Sequence, residues 1–166
     1  MKIFIGADHA GYEFKEKIKV YLTELGLGYE VIDKGAFSYN PEDDYPDFIQ
    51  KVALAVAESA SKEEESFGVI IGGSGQGEAM CANRTKGVRA AVFYGEVLPK
   101  NTIDIKGQKS ADSFEIIKLE REHNNANVLS IGERFVTEDE AKFAIELFLS
   151  TPFGGDERHE KRIAKF

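Results

Sequence analysis

Cysteine is almost missing from this chain: Cys81 is the only one in 166 residues. A lone thiol cannot close an internal disulfide or begin a Cys-rich zinc pattern, so the composition suits a reducing compartment and predicts a cytoplasmic location. Histidine is scarce too, at 3 residues with no H-E-x-x-H or related ligand spacing, which argues against a metal centre. Only 4 Pro accompany 16 Gly, and collagenous or disordered compositions are thereby excluded. Long apolar runs are absent. The N-terminal run Met1 to Gly6 turns polar at Asp8-His9, too early for a signal-peptide core, and nothing approaches a membrane span. Positive charge is in deficit, 21 Lys and Arg against 29 Asp and Glu, and the resulting net charge of −8 disfavours nucleic acid and anionic membrane as partners.

What is present fits one domain spanning residues 1–166, long enough to hide roughly 70% of the surface its unfolded form exposes. Short apolar runs at Lys2 to Gly6, Tyr29 to Asp33, Phe67 to Ile71, Arg89 to Phe93 and Val128 to Ile131 read as buried strands. Helical spacing separates them. Phe14, Ile18, Leu22 and Leu25 recur at three- and four-residue intervals before Gly26, a plausible stop, and Phe48, Val52, Ala55, Val56 and Ser59 repeat the pattern. Further helices are predicted over Gln76 to Thr85, Asp112 to His123 and Glu138 to Leu149, the last introduced by a Thr137/Glu140 capping box. The acidic run Lys62 to Glu65 reads as a solvated helix end.

This alternation predicts an α/β fold, a three-layer open sheet of five parallel strands with helices on both faces and a C-terminal helical tail. Ligands in such sheets sit beyond the carboxyl ends of the strands. The loops there carry Asp8-His9, Gly35 to Asp47, Gly72 to Glu78, Tyr94 onward and Gly132-Glu133-Arg134, while His123 falls just before the fifth strand, outside that set. The segment Gly95 to Ser113 is the one long non-periodic connection, of the kind that covers a site or extends an interface.

After the third strand, Gly72-Gly73-Ser74-Gly75-Gln76-Gly77-Glu78 forms a Gly-rich turn opening a helix, where bare N–H groups favour an anion. It is neither a dinucleotide fingerprint, because Glu78 stands where the last Gly belongs, nor a P-loop. A plain strand-to-helix turn is the alternative. Glu78 is either a dipole-stabilising carboxylate or, beside a desolvated oxyanion site, a base able to shuttle a proton between adjacent carbons. Asp8 can cap the next helix or act with His9, and His123 can complement a helix dipole or do chemistry. Cys81, between Met80 and Ala82, reads as a buried, inert thiol. In the tail, residues 154–166, Arg158 and Arg162 stand four apart on one helix face; they suit a phosphate dianion or pair with Glu157 and Glu160. Arg134 offers a third phosphate contact.

Taken in order, Gly6-Ala7-Asp8-His9-Ala10-Gly11, Asp44-Tyr45-Pro46, Ile71 to Glu78, Arg121-Glu122-His123-Asn124, Gly132-Glu133-Arg134 and Arg158-His159 with Arg162 resemble the B-type ribose-5-phosphate isomerases and their galactose-6-phosphate isomerase relatives. The resemblance covers the chain except Gly95 to Ser113. It implies a flavodoxin-like or Rossmann-like isomerase without metal or cofactor, acting on a phosphorylated pentose through a cis-enediolate. By that resemblance Asp8 and His123 assist ring opening, and the amides of Gly73, Gly75, Gln76 and Gly77 hold the enediolate oxygen with Ser74. Glu78 moves the proton between C1 and C2. His9, Arg134, Arg158 and Arg162 surround the phosphate, and Tyr45 and Asn124 meet sugar hydroxyls. The resemblance also implies a homodimer or tetramer with sites between subunits.

One branch of that family uses a Cys base just after the third strand, where this chain has Gly72; the other uses Glu, matched by Glu78. A pentose phosphate is the first expectation for substrate, a hexose 6-phosphate (allose or galactose 6-phosphate) the second. A non-catalytic sugar-phosphate binding module, with Glu78 merely capping its helix, is the rival from another class.

Overall fold

The computed structural model describes residues 1–166. Five strands run parallel in one sheet: β1 (Lys2–Ala7), β2 (Glu30–Asp33), β3 (Ser66–Gly72), β4 (Ala90–Phe93) and β5 (Val128–Gly132), in the order β2-β1-β3-β5-β4. Between and after them come α1 (Tyr12–Glu24), α2 (Pro46–Ser61), α3 (Gln76–Ala82), α4 (Glu115–Asn124), a 3₁₀ turn (Glu133–Phe135), α5 (Glu138–Ser150) and α6 (Glu157–Ile163). No helix is long and apolar enough to cross a membrane.

Strand periodicity sorts the core into two layers. Ile3, Ile5 and Ala7 of β1 point to one face with Val69 and Ile71 of β3, where α1, α4 and α5 cover them through Ile18, Leu22, Ile117, Ile145 and Phe148. Phe4 and Ile70 point to the other, under α2 and α3 through Ile49, Val52, Val56 and Ala82. Each fully buried Ile or Val there is worth about 1.5–3 kcal/mol against exposure. Right-handed crossovers explain the assignment: the chain steps from β1 out to β2 and back past β1 to β3, so α1 and α2 lie on opposite faces. It then steps to the far edge at β4 and returns inward to β5, which places α4 opposite α3.

The direction of stepping reverses at β1, whose neighbours β2 and β3 lie on either side. The cleft beyond the carboxyl ends of β1 and β3 is therefore the place such a sheet offers a ligand. Gly11 permits a close approach here, since a Cβ on it would stand 2.5 Å from the Ile71 carbonyl oxygen, and so α1 begins hard against the end of β3.

Two helices are shorter than their periodicity predicts. α3 ends at Ala82 rather than Thr85, because Asn83 turns its side chain onto β4: Oδ1 accepts from Ala90 N–H at 2.7 Å and Nδ2 donates to Ala90 O at 2.9 Å. α4 starts at Glu115 rather than Asp112, whose carboxylate instead accepts from the Phe114 N–H at 2.9 Å as part of a turn. The Thr137/Glu140 capping box forms as read, with both reciprocal bonds made, a device worth about 1 kcal/mol. Gly26, just past α1, has a positive φ of 66° that suits it to stopping the helix.

Candidate active site

The Gly-rich turn between β3 and α3 is seated on the end of β5. Gly75 adopts φ 73°, its carbonyl accepts from the buried Ser130 hydroxyl at 2.7 Å, and a Cβ on it would meet Gly132 N at 3.0 Å. Only glycine meets both demands. Ser74 Oγ accepts from the Gln76 N–H at 3.3 Å, whereas the N–H groups of Gly73, Ser74, Gly75 and Gly77 have no acceptor within the chain. Four bare donors around one turn make an anion receptor.

Glu78 lies in the first turn of α3 and is 5% exposed. Its carboxylate fills the space that a side chain at position 72 would occupy: a Cβ on Gly72 would stand 1.9 Å from Oε1 and 2.2 Å from the carboxyl carbon. Burial pushes its carboxyl above the ordinary value; its own backbone N–H and Arg134 pull the other way, and the nearby Asp8 charge adds to the rise. Cys81, one turn further, is half-buried rather than buried, and burial pushes its thiol up, so it is not a thiolate.

Asp8 and His9 follow β1 directly. Asp8 Oδ1 accepts from Ala10 and Gly11 N–H groups at 3.1 and 3.2 Å, so it braces the turn before α1 without capping the helix itself, and it stays buried beside Glu78. His9 is held by Asp43, a residue the sequence did not single out although it adjoins the Asp44-Tyr45-Pro46 motif. Ligand atoms of Asp8, His9 and Asp43 lie within 4.8 Å of one another. His9 Nδ1 is committed to Asp43 and Asp8 Oδ1 to backbone, so hydrogen bonds within the chain already engage this cluster.

The remaining predicted residues divide. Tyr45 lies on the turn, its ring 3.0 Å from where a Cβ on Gly77 would be, and Arg134 lies on Gly73 in the same way at 2.8 Å. His9 and Arg134 line one cavity of about 500 Å³, together with Lys17 and Tyr39. His123, Arg158 and Arg162 line another, of about 470 Å³, with His159 stacked on His123 at 4.2 Å between ring centroids. Asn124 lines neither and faces a third cavity beside Arg89. A single chain thus keeps the expected four-residue phosphate set, His9, Arg134, Arg158 and Arg162, in two places. The tail arginines are not consumed by α6 itself: Glu157 pairs with Lys161 at 2.9 Å, and neither Arg158 nor Arg162 makes an ion pair. His159, between the two tail arginines, is pushed below its ordinary value by burial and then by the neighbouring His123.

The chain as a whole is similar in sequence and fold to known proteins. A family described as Ribose/Galactose Isomerase matches residues 3–104 and 110–166, leaving out only the tip of the long connection within that span. A ribose-5-phosphate isomerase B of Mycolicibacterium paratuberculosis is 37% identical over 163 residues, 98% of this chain and 87% of that protein. Among solved structures, Clostridium thermocellum ribose-5-phosphate isomerase B superposes with a TM-score of 0.79 at 38% identity, covering 99% of this chain and 94% of that one. The Mycoplasma genitalium enzyme, solved with ribulose-5-phosphate bound, gives 0.78 at 33% identity over 99% and 92%.

Proposed function

The chain belongs to the ribose/galactose isomerase family, and from that premise we propose that it interconverts ribose 5-phosphate and ribulose 5-phosphate with Glu78 as the proton-transfer base. The observation that carries the assignment of the base is the Glu78 carboxylate itself, buried, raised above its ordinary value, and lying where a side chain on Gly72 would reach. A Cys at position 72 is the alternative base within the family resemblance; here the carboxylate takes over its space.

The chemistry runs in two stages. Asp8 and His123 move protons between the ring oxygen and the anomeric hydroxyl, so that the C1–O4 bond breaks and the open aldehyde forms. Glu78 then takes the proton from C2; the electron pair left behind forms the C1=C2 bond, and the carbonyl π pair goes to O1. The bare N–H groups of the Gly73 to Gly77 turn, with Ser74, stabilise that cis-enediolate. Glu78 returns its proton to C1, the O2 proton passes to O1, and C2 becomes the ketone. A carboxyl raised above its ordinary value is a stronger base for the first half of this exchange.

The ring-opening His123 and the phosphate-binding Arg158 and Arg162 line a different cavity from His9 and Arg134. A homodimer in which the tail and α4 of one subunit complete the Glu78 site of the other unites the two halves. Glu78→Gln tests the reading: turnover of ribose 5-phosphate is lost while binding of the sugar phosphate survives. A variant that keeps turnover removes Glu78 as the base.

A further inference from the structure

The connection between β4 and α4 is an ordered structure with its own hydrogen bonds. Val97 N–H donates to Ser113 O at 2.9 Å and closes its base. At the tip, Ile103 N–H donates to Gln108 O at 2.8 Å, and Asp104 Oδ1 accepts from the N–H groups of Lys106 and Gln108 at 2.9 and 2.8 Å. Gly107, at φ 85°, completes the turn. Residues 102–106 form one wall of the cavity of about 470 Å³ whose other walls carry His123, Arg158, His159 and Arg162.

The charges around that cavity are not balanced by pairing. Of its three lining carboxylates, Asp104 Oδ1 is turned onto the backbone of its own turn and Asp156 Oδ1 accepts from the Arg158 N–H at 2.8 Å, so neither Oδ1 is directed at a cation, although both keep their charge beside that of Glu122. Lys106, Arg158 and Arg162 line this cavity together, and none of them is engaged in an ion pair. Three unpaired cations facing one cavity suit a dianion. Lys106 lies within the tip, residues 105–109, that the family match passes over.

We infer that the tip of the 95–113 connection is part of the substrate site, with Lys106 as an additional phosphate-binding group beside Arg158 and Arg162. This rests on the isomerase reading above only for the identity of the phosphate's owner. Lys106 touches the phosphate, away from the reacting carbons, and so contributes equally to ground state and transition state.

The test compares wild type with Lys106→Met, Lys106→Arg and Lys100→Met, the last altering a lysine of the same connection that does not line the cavity. With ribose 5-phosphate, Lys106→Met raises KM roughly fivefold, the worth of an exposed ion contact, and leaves kcat unchanged. The difference shrinks as salt is added, Lys106→Arg restores it, and Lys100→Met behaves as wild type. An unchanged KM in Lys106→Met, or a loss confined to kcat, overturns the inference and leaves the isomerase reading standing. Calorimetric titration with inorganic phosphate gives the same comparison without turnover. Phosphate binding weakened in Lys106→Met supports the inference even if wild type fails to turn over ribose 5-phosphate, and equal binding overturns it.

Discussion

Asp43 holds His9 twice through a single oxygen: Oδ1 accepts from the His9 backbone N–H at 2.9 Å and stands 2.7 Å from Nδ1. This carboxylate hydrogen bond, together with the Asp8 charge and against partial desolvation, holds His9 above the ordinary imidazole value of 6.5. The ring therefore faces its cavity as an imidazolium over a wider pH range, which is what a phosphate ligand requires.

Asp43→Asn is expected to remove that support. Below both pKa values His9 is charged in wild type and variant alike, and KM for ribose 5-phosphate is similar. Above the variant's lowered pKa and below the wild type's raised one, only wild type keeps the charge, so KM in the variant climbs at lower pH. Steady-state KM measured across the neutral range checks this; parallel profiles would show that Asp43 does not set the His9 charge.

As the proposed base, Glu78 must be ionised to accept the C2 proton, and burial raises its carboxyl above the ordinary value. The acid limb of kcat/KM is accordingly expected to lie above the usual carboxylate range. The same shift has a sign for stability: a carboxyl whose folded pKa is raised loses stability as pH climbs from its unfolded value through its folded one. Glu78→Gln is expected to melt higher than wild type at neutral pH, and the gain is expected to vanish in acid. Thermal melts at several pH values measure it.

Position 72 offers a steric test of the same group. A Cβ on Gly72 would stand 1.9 Å from Glu78 Oε1, and a carboxylate at the end of a flexible side chain can move aside without unfolding the strand. Gly72→Ala is expected to fold normally and to lose roughly a hundredfold in kcat through misplacement of the base. A fully active Gly72→Ala enzyme would contradict the assigned position of the base.

Glu120, buried on α4 with Oε2 lacking any partner, has its carboxyl pushed by burial up to about 8. Between its unfolded value and that raised one, the folded state loses stability as pH rises. Glu120→Gln is expected to raise Tm more at pH above this range than in mild acid, a comparison that differential scanning calorimetry makes directly.

Much of the fold can be read from local pattern. The five apolar runs fall within one or two residues of the strands, and the Thr137/Glu140 box marks the start of α5 where it forms. Strand order is different in kind. That β5 lies inside and β4 at the edge depends on which strand buries both faces, and the runs Arg89 to Phe93 and Val128 to Ile131 look alike as strings. The early end of α3 has the same origin, because Asn83 pairs with Ala90 across a loop.

In the site, Asp8, Glu78 and the glycine turn are legible because they sit at strand ends in sequence. The Asp43 clamp on His9 spans 34 positions. Contact of residues 102–106 with the Arg158 cavity is likewise tertiary. No spacing rule reaches either.

The most direct test of the central claim is proton exchange at the reacting carbons. Ribose 5-phosphate is mixed in D₂O with wild type and with Glu78→Gln, and the carbon-bound proton signals are followed by NMR as ribulose 5-phosphate appears. With Glu78 as the base, wild type forms ribulose 5-phosphate and incorporates solvent deuterium, while Glu78→Gln binds the sugar but loses both processes by about a thousandfold. Wild type that binds the sugar with neither turnover nor exchange, or Glu78→Gln that still turns it over at the wild-type rate, would contradict it.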